Sequence, residues 1–191
     1  ITPMFLASQE NKVEAMQWLF DHDAQEDVRT PNNYGATPMY VASQKNNVEA
    51  MQWLFDHGAQ DDVRTPRNDG ITPMYVAIQE NHMEAMQWLF DHGADVRTPD
   101  TDGDTPMYVA SQENKVEAMQ WLFDHGADVR TPDTDGDTPM YVASQENNVQ
   151  ALQWLFDHDA DVRTPNNYGA TPTYVASQKN NVEAMQWLFD N

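Results

Sequence analysis

Threonine–proline pairs recur along this chain at Thr2-Pro3, Thr37-Pro38, Thr72-Pro73, Thr105-Pro106, Thr138-Pro139 and Thr171-Pro172. The steps between them are 35, 35, 33, 33 and 33 residues. A fixed period of about 20 to 50 residues marks a stacked array, in which each unit is too small to bury its own apolar face. The period overrides what length alone suggests, since 191 residues could otherwise form one or two globular domains. The expected fold is an all-α repeat solenoid forming a single domain over 1–191. Its units fall at about 1–31, 32–66, 67–99, 100–132, 133–165 and 166–191.

Each unit reads as turn, helix, short link, helix and turn. In the fourth, Thr105 is a good N-cap and Pro106 suits the first helical position, where its missing N–H costs nothing. Met107, Ala110 and Ser111 share one helical face and should be buried, and Asn114 stands where a left-handed residue ends the helix. A second helix is predicted over about Val116–His125, with Val116, Met119, Leu122 and Phe123 as its apolar stripe and Gly126 as its C-terminal cap. Asp23 and Asp159 replace that glycine in two units and should cap less well. Helices this short are marginal alone, so stacking must hold them. The link Ala127–Gly136 carries the turn signal Asp-Thr-Asp-Gly. The first two links are two residues longer, with Gln25-Glu26-Asp27 and Gln60-Asp61-Asp62 replacing a single aspartate, and a surface loop should absorb them.

The copies are close. Trp88–Asn114 is identical to Trp121–Asn147 over 27 residues, and Asn32–Asp56 matches Asn166–Asp190 except for Met39 against Thr173. Recent duplication or laboratory design would each produce such copies, and the irregular insertions and mixed caps favour duplication. The terminal units offer Met4, Phe5 and Leu6 at one end and Trp187, Leu188 and Phe189 at the other, with no polar substitution expected on either side. Solenoids need polar terminal caps. The chain is therefore expected to be part of a longer array or to stack end to end on other copies.

Charge narrows the partners. Formal net charge is -21, from 31 acidic and 10 basic residues, which repels phosphate backbones and anionic membranes alike. Neither nucleic acid nor membrane is an expected partner. The absence of cysteine removes disulfides and thiolate chemistry, and fits an intracellular (cytoplasmic or nuclear) protein.

The motif Thr105-Pro106-Met107-Tyr108-Val109-Ala110, with Asp-Gly before it and Gly-Ala-Asp-Val after it, resembles the ankyrin repeat family's Thr-Pro-Leu-His-x-Ala unit. The resemblance recurs six times over essentially the whole chain. It implies helix pairs joined by β-turn or hairpin fingers. Methionine stands for the family's leucine, a volume-conserving change. Tyrosine stands for its histidine at Tyr40, Tyr75, Tyr108, Tyr141 and Tyr174, and phenylalanine at Phe5, so a tyrosine hydroxyl would have to replace the histidine's bonds between loops.

Several residues could carry chemistry. Asp100, Asp102 and Asp104, then Asp133, Asp135 and Asp137, give Asp-x-Asp-Gly-Asp. A calcium loop of the EF-hand type needs its glycine and bidentate glutamate elsewhere, so turn residues bonding their own backbone are the expected role. His22, His57, His92, His125 and His158 each end a second helix, where positive charge is favoured, and should be structural. His82 sits in the inter-helix link, where the family often has histidine. The tryptophans at 18, 53, 88, 121, 154 and 187 should pack between repeats. No cofactor motif is present, and near-copies of one unit offer no asymmetric set of groups around a reacting atom, so no catalytic residue is expected.

The resemblance implies a non-enzymatic protein-interaction scaffold that binds its partner on a concave face of turn tips and first helices. Its variable contact positions map onto Asn33, Tyr34, Ala36, Gln44 and Lys45, and onto Asn68, Asp69, Ile71, Gln79 and Glu80. They continue at Thr101, Asp102, Asp104, Gln112 and Glu113, at Thr134, Asp135, Asp137, Gln145 and Glu146, and at Asn167, Tyr168, Gln178 and Lys179. Tyr34, Ile71 and Tyr168 are candidate anchors, with packing on the neighbouring repeat as the alternative. Ile78 should fill a gap between repeats. The acidic surface suits a partner with a basic surface. The alternatives are an acidic calcium-binding array around Asp102 and Asp135, and a designed scaffold without a natural target.

Overall fold

The computed structural model describes all residues, 1–191. They form two compact units, Ile1–Thr101 and Asp102–Asn191. The first holds the helices α1 (Pro3–Gln9), α2 (Val13–Asp21), α3 (Pro38–Gln44), α4 (Val48–Asp56), α5 (Pro73–Gln79) and α6 (Met83–Asp91). Here α3 packs between α1 and α5, and α4 between α2 and α6. The second holds α7 (Pro106–Gln112), α8 (Val116–Asp124), α9 (Pro139–Gln145), α10 (Val149–Asp157), α11 (Pro172–Gln178) and α12 (Val182–Asp190), packed in the same two rows.

The Thr-Pro pair starts every first helix. Each threonine hydroxyl accepts the backbone N–H three residues on, at 3.1–3.2 Å, with proline at the first helical position. A cap of this kind is worth about 1 kcal/mol. The methionine that follows is buried in five repeats, at Met4, Met39, Met74, Met107 and Met140. The serine a turn later donates to that methionine's carbonyl at 2.7–2.9 Å, which satisfies a hydroxyl with no access to water. Ile78 replaces this serine and is fully buried.

Second helices begin without a side-chain cap of their own. The cap comes from the preceding repeat. Asn11, Asn46, Asn114 and Asn147 sit at positive φ, ending the first helix, and their Oδ1 atoms accept from Ala50, Ala85, Ala151 and Ala184 N–H at 2.9–3.1 Å. The next asparagine works backwards. Asn47, Asn148 and Asn181 donate Nδ2 to the last carbonyls of the preceding first helix, such as Ser8 and Gln9 for Asn47, at 3.0 and 2.8 Å. An Asn-Asn pair thus closes helix ends in two neighbouring repeats at once. His82 takes the second place in its repeat, with its Nδ1 buried and unpartnered.

Three expectations are corrected. The longer links are not plain loops: Gln25–Val28 and Gln60–Val63 are 3₁₀ turns. The second of them buries Asp62, whose Oδ1 accepts from Arg29 of the preceding link at 3.1 and 2.9 Å. In the α8 stripe, Met119 and Leu122 are fully buried, but Phe123 is exposed at one side and packs edge-on to Trp154. At the ends, Met4, Phe5 and Leu188 are buried within their own units, whereas Leu6 and Phe189 are exposed. Thr173 is exposed where five other repeats bury methionine, so the last repeat does carry a polar substitution on that face.

Candidate interaction surface

The turn tips are built alike. Within 67–71, Arg67 N–H bonds to Ile71 O and Gly70 N–H to Arg67 O, while Asp69 Oδ1 accepts from Ile71 N–H at 3.3 Å. Within 133–137, Asp133 N–H bonds to Asp137 O, and Asp133 Oδ1 accepts from Asp135 and Asp137 N–H at 2.9 and 2.8 Å. These aspartates bond their own backbone, the role expected of turn residues. Neighbouring tips are joined by one backbone bond each: Asn68 N–H to Tyr34 O and Thr101 N–H to Asp69 O in the first unit, Thr134 N–H to Asp102 O and Asn167 N–H to Asp135 O in the second. Gly70 and Gly136 have φ of +84° and +83°, and a Cβ on either would come within 2.6 Å of the adjacent tip. Glycine is required there by both conformation and space.

The tyrosines that replace the family's histidine do reach the next tip. Tyr40 accepts from Arg67 Nη1 at 3.2 Å, and Tyr75 donates to Asp100 Oδ2 at 3.3 Å. Burial raises the Tyr40 phenol above its ordinary value, although Arg67 opposes the shift. In the second unit burial raises Tyr108 and Tyr141, and nearby aspartates push in the same direction.

Of the positions the resemblance implied, Asn33, Tyr34 and Asn68 are exposed at the first unit's tips, with Asp69 half-buried. Lys45 and Glu80 are exposed at the first-helix ends, and Gln44 and Gln79 half-buried. Thr101 and Asp102 are exposed, as are Thr134, Asp135, Asn167 and Tyr168, while Asp104 and Asp137 are half-buried. Glu113, Glu146, Gln178 and Lys179 are exposed and Gln112 and Gln145 half-buried at the ends of α7, α9 and α11. Ala36 is the correction: it is buried in a cluster with Phe5, Tyr40, Val41 and Val76, and offers no surface to a partner. Among the candidate anchors, Tyr34 is 71% and Tyr168 77% exposed, but Ile71 packs against that same cluster. The Tyr168 hydroxyl donates to Asp135 Oδ1 of the neighbouring tip at 2.9 Å, and this bond raises its phenol's pKa. Asp137 is pushed above the ordinary carboxylate range by burial and by Asp133 and Asp135, against the lowering effect of Asn166.

The histidine column is bonded within its own helix: each Nδ1 donates to the tryptophan carbonyl four residues earlier at 2.6–2.7 Å, and the imidazole stacks on that indole. Trp53, Trp88, Trp154 and Trp187 donate Nε1 to a glutamine of the preceding repeat at 3.0–3.1 Å. No set of three or more histidine, aspartate or glutamate side chains converges where a metal ion could sit.

The sequence signals missed were the cross-repeat ones. Asn47, Asn148 and Asn181 were legible as an Asn-Asn doublet, and Gln17, Gln52, Gln120 and Gln153 as a residue always one place before tryptophan.

A family model described as "Ankyrin repeats (3 copies)" matches residues 1–65, 60–133 and 127–191. The chain belongs to the ankyrin repeat family. Ankyrin repeats generally mediate protein–protein interaction and typically serve as non-enzymatic scaffolds. No curated protein matches the chain. No helix of this ankyrin repeat chain is long and apolar enough to cross a membrane.

Proposed function

We propose that this chain is a non-enzymatic interaction scaffold, whose turn tips and first-helix ends bind a protein partner with a basic surface. The observation that carries the reading is the tips of each unit. Within each unit neighbouring tips are joined by backbone hydrogen bonds, while Tyr34 in the first unit and Asp102, Asp135 and Tyr168 in the second are exposed. Pre-organised side chains lose little entropy on binding, and exposed aromatics are good anchors. Asp133, Asp135 and Asp137 crowd one tip of the second unit, and such a concentration of carboxylates suits a cationic partner. Tyr34, Asn68, Asp102, Thr134, Asp135 and Tyr168 are the contact residues of first choice.

The test is capture from a cell extract by the immobilised chain, beside a variant carrying Tyr34→Ala, Asp102→Asn, Asp135→Asn and Tyr168→Ala. Basic proteins held by the wild type and lost from the variant support the reading. An unchanged set of captured proteins contradicts it.

A further inference from the structure

The first unit carries a second surface, on the opposite helices from the tips' own. Two adjoining open grooves of about 540 and 460 Å³ cross α2, α4 and α6, sharing Val48 and Trp88. Val48 and Met83 supply their apolar floor, with Trp53 and Trp88 beside it. Glu49 and Glu84 stand at the helix starts, and Asp56 and Asp91 at the ends. Seven residues of helix separate the two acidic rows, about 10 Å at 1.5 Å per residue.

These carboxylates meet amides only. Glu49 and Glu84 accept from Asn11 and Asn46 at 3.2 and 3.4 Å, and Asp56 and Asp91 from Gln52 and Gln87 at 3.0 and 2.9 Å. None of the chain's ion pairs involves them. An apolar strip edged by carboxylates with no cation of their own complements a segment that is both apolar and basic.

Spacing defines that segment further. Stacked helices lie about 8–10 Å apart, and three residues of extended chain rise about 10 Å. A cation at every third residue therefore meets one repeat after another. Side chains three apart in an extended strand point to opposite sides, so successive cations face the glutamate row and then the aspartate row.

We infer that the groove across α2, α4 and α6 docks an extended segment of a partner protein bearing arginine or lysine at every third position with apolar residues between. This site is independent of the turn tips.

The test is a tryptophan-fluorescence titration of the full chain with a synthetic peptide, arginine at every third position and leucine and threonine between. The comparison chain carries Glu49→Gln, Asp56→Asn, Glu84→Gln and Asp91→Asn, which keep the oxygens that accept from Asn11, Asn46, Gln52 and Gln87. Its melting curve is recorded first; a lower melting point moves the comparison to Glu84→Gln with Asp91→Asn alone. The expected result is saturable binding that these changes weaken about tenfold, the scale of several exposed charge pairs. Asp102→Asn with Asp135→Asn at the tips should leave it unchanged. A peptide of the same composition with its arginines clustered should bind several-fold more weakly. Equal binding by wild type and groove variant, loss in the tip variant instead, or tighter binding of a helical peptide of the same composition would overturn the inference.

Discussion

The tips at 67–71 and 133–137 share a backbone and differ in charge. At the first, Arg67 pairs with Asp69, lies 5.3 Å from the centre of the Tyr40 ring and donates to its hydroxyl. At the second, aspartate stands in place of arginine at 133, and Asp133, Asp135 and Asp137 crowd one turn. Both backbones survive, because the glycine and the backbone bond to the neighbouring tip need no particular net charge, and the accepting carboxylate moves from Asp69 in the first tip to Asp133 in the second. The difference teaches where information sits in a repeat: the skeleton is set by a few invariant contacts, and the remaining side chains are free to vary a surface.

The largest effects should come from the shared skeleton. Gly70→Ala and Gly136→Ala should each cost about 2–3 kcal/mol, from positive φ plus a clash with the neighbouring tip. Gly126→Ala, where a Cβ meets nothing within 4 Å, should cost about 1 kcal/mol. Denaturant unfolding checks both, and an unequal cost at 70 and 136 would break the claim of a common backbone. Next, Arg29→Ala should cost about 2 kcal/mol, since it strands the buried Asp62 carboxylate. Burial already raises the Asp62 pKa despite the arginine. Asp62 should then unfold the Arg29→Ala chain less at acidic pH, where its charge is lost.

Much of this skeleton was legible in the sequence. Thr-Pro caps, the left-handed asparagines and the turn glycines are local chemistry, and each stands where its residue type predicts. What could not be read depends on the neighbouring repeat. The Asn-Asn doublet is visible at Asn46-Asn47, but its bond to Ser8 exists only once two repeats stack. Asp62, a surface insertion by sequence, is buried by a 3₁₀ turn that carries it under Arg29. The candidate surface was legible by position more than by exposure: Tyr34 and Tyr168 stand out in solvent, while Ile71 and Ala36 lie against a core that only stacking creates.

A smaller effect separates the two tips. Arg67→Ala should cost about 1 kcal/mol, the loss of a partly exposed ion pair and a ring contact. Asp137→Asn should instead stabilise by a few tenths of a kcal/mol at neutral pH, since the amide oxygen still accepts from Asn166 and the repulsion is gone. The pH signs are opposite in two places. Asp137 has a raised pKa, so its contribution is fully present below the ordinary carboxylate pKa and is lost as pH rises through its folded value. Asp95, lowered by Arg97 against its own burial, contributes above that range and loses its contribution on acidification. Melting curves of Asp137→Asn and Asp95→Asn from pH 3 to 7 should therefore diverge from wild type in opposite directions.

The most direct test of the scaffold reading is the ionic-strength dependence of association with a captured basic partner, for wild type and for Asp102→Asn with Asp135→Asn. The on-rate should fall about tenfold for wild type between low and moderately high salt, and less steeply for the variant. Identical slopes for the two chains would contradict an acidic turn face as the binding surface.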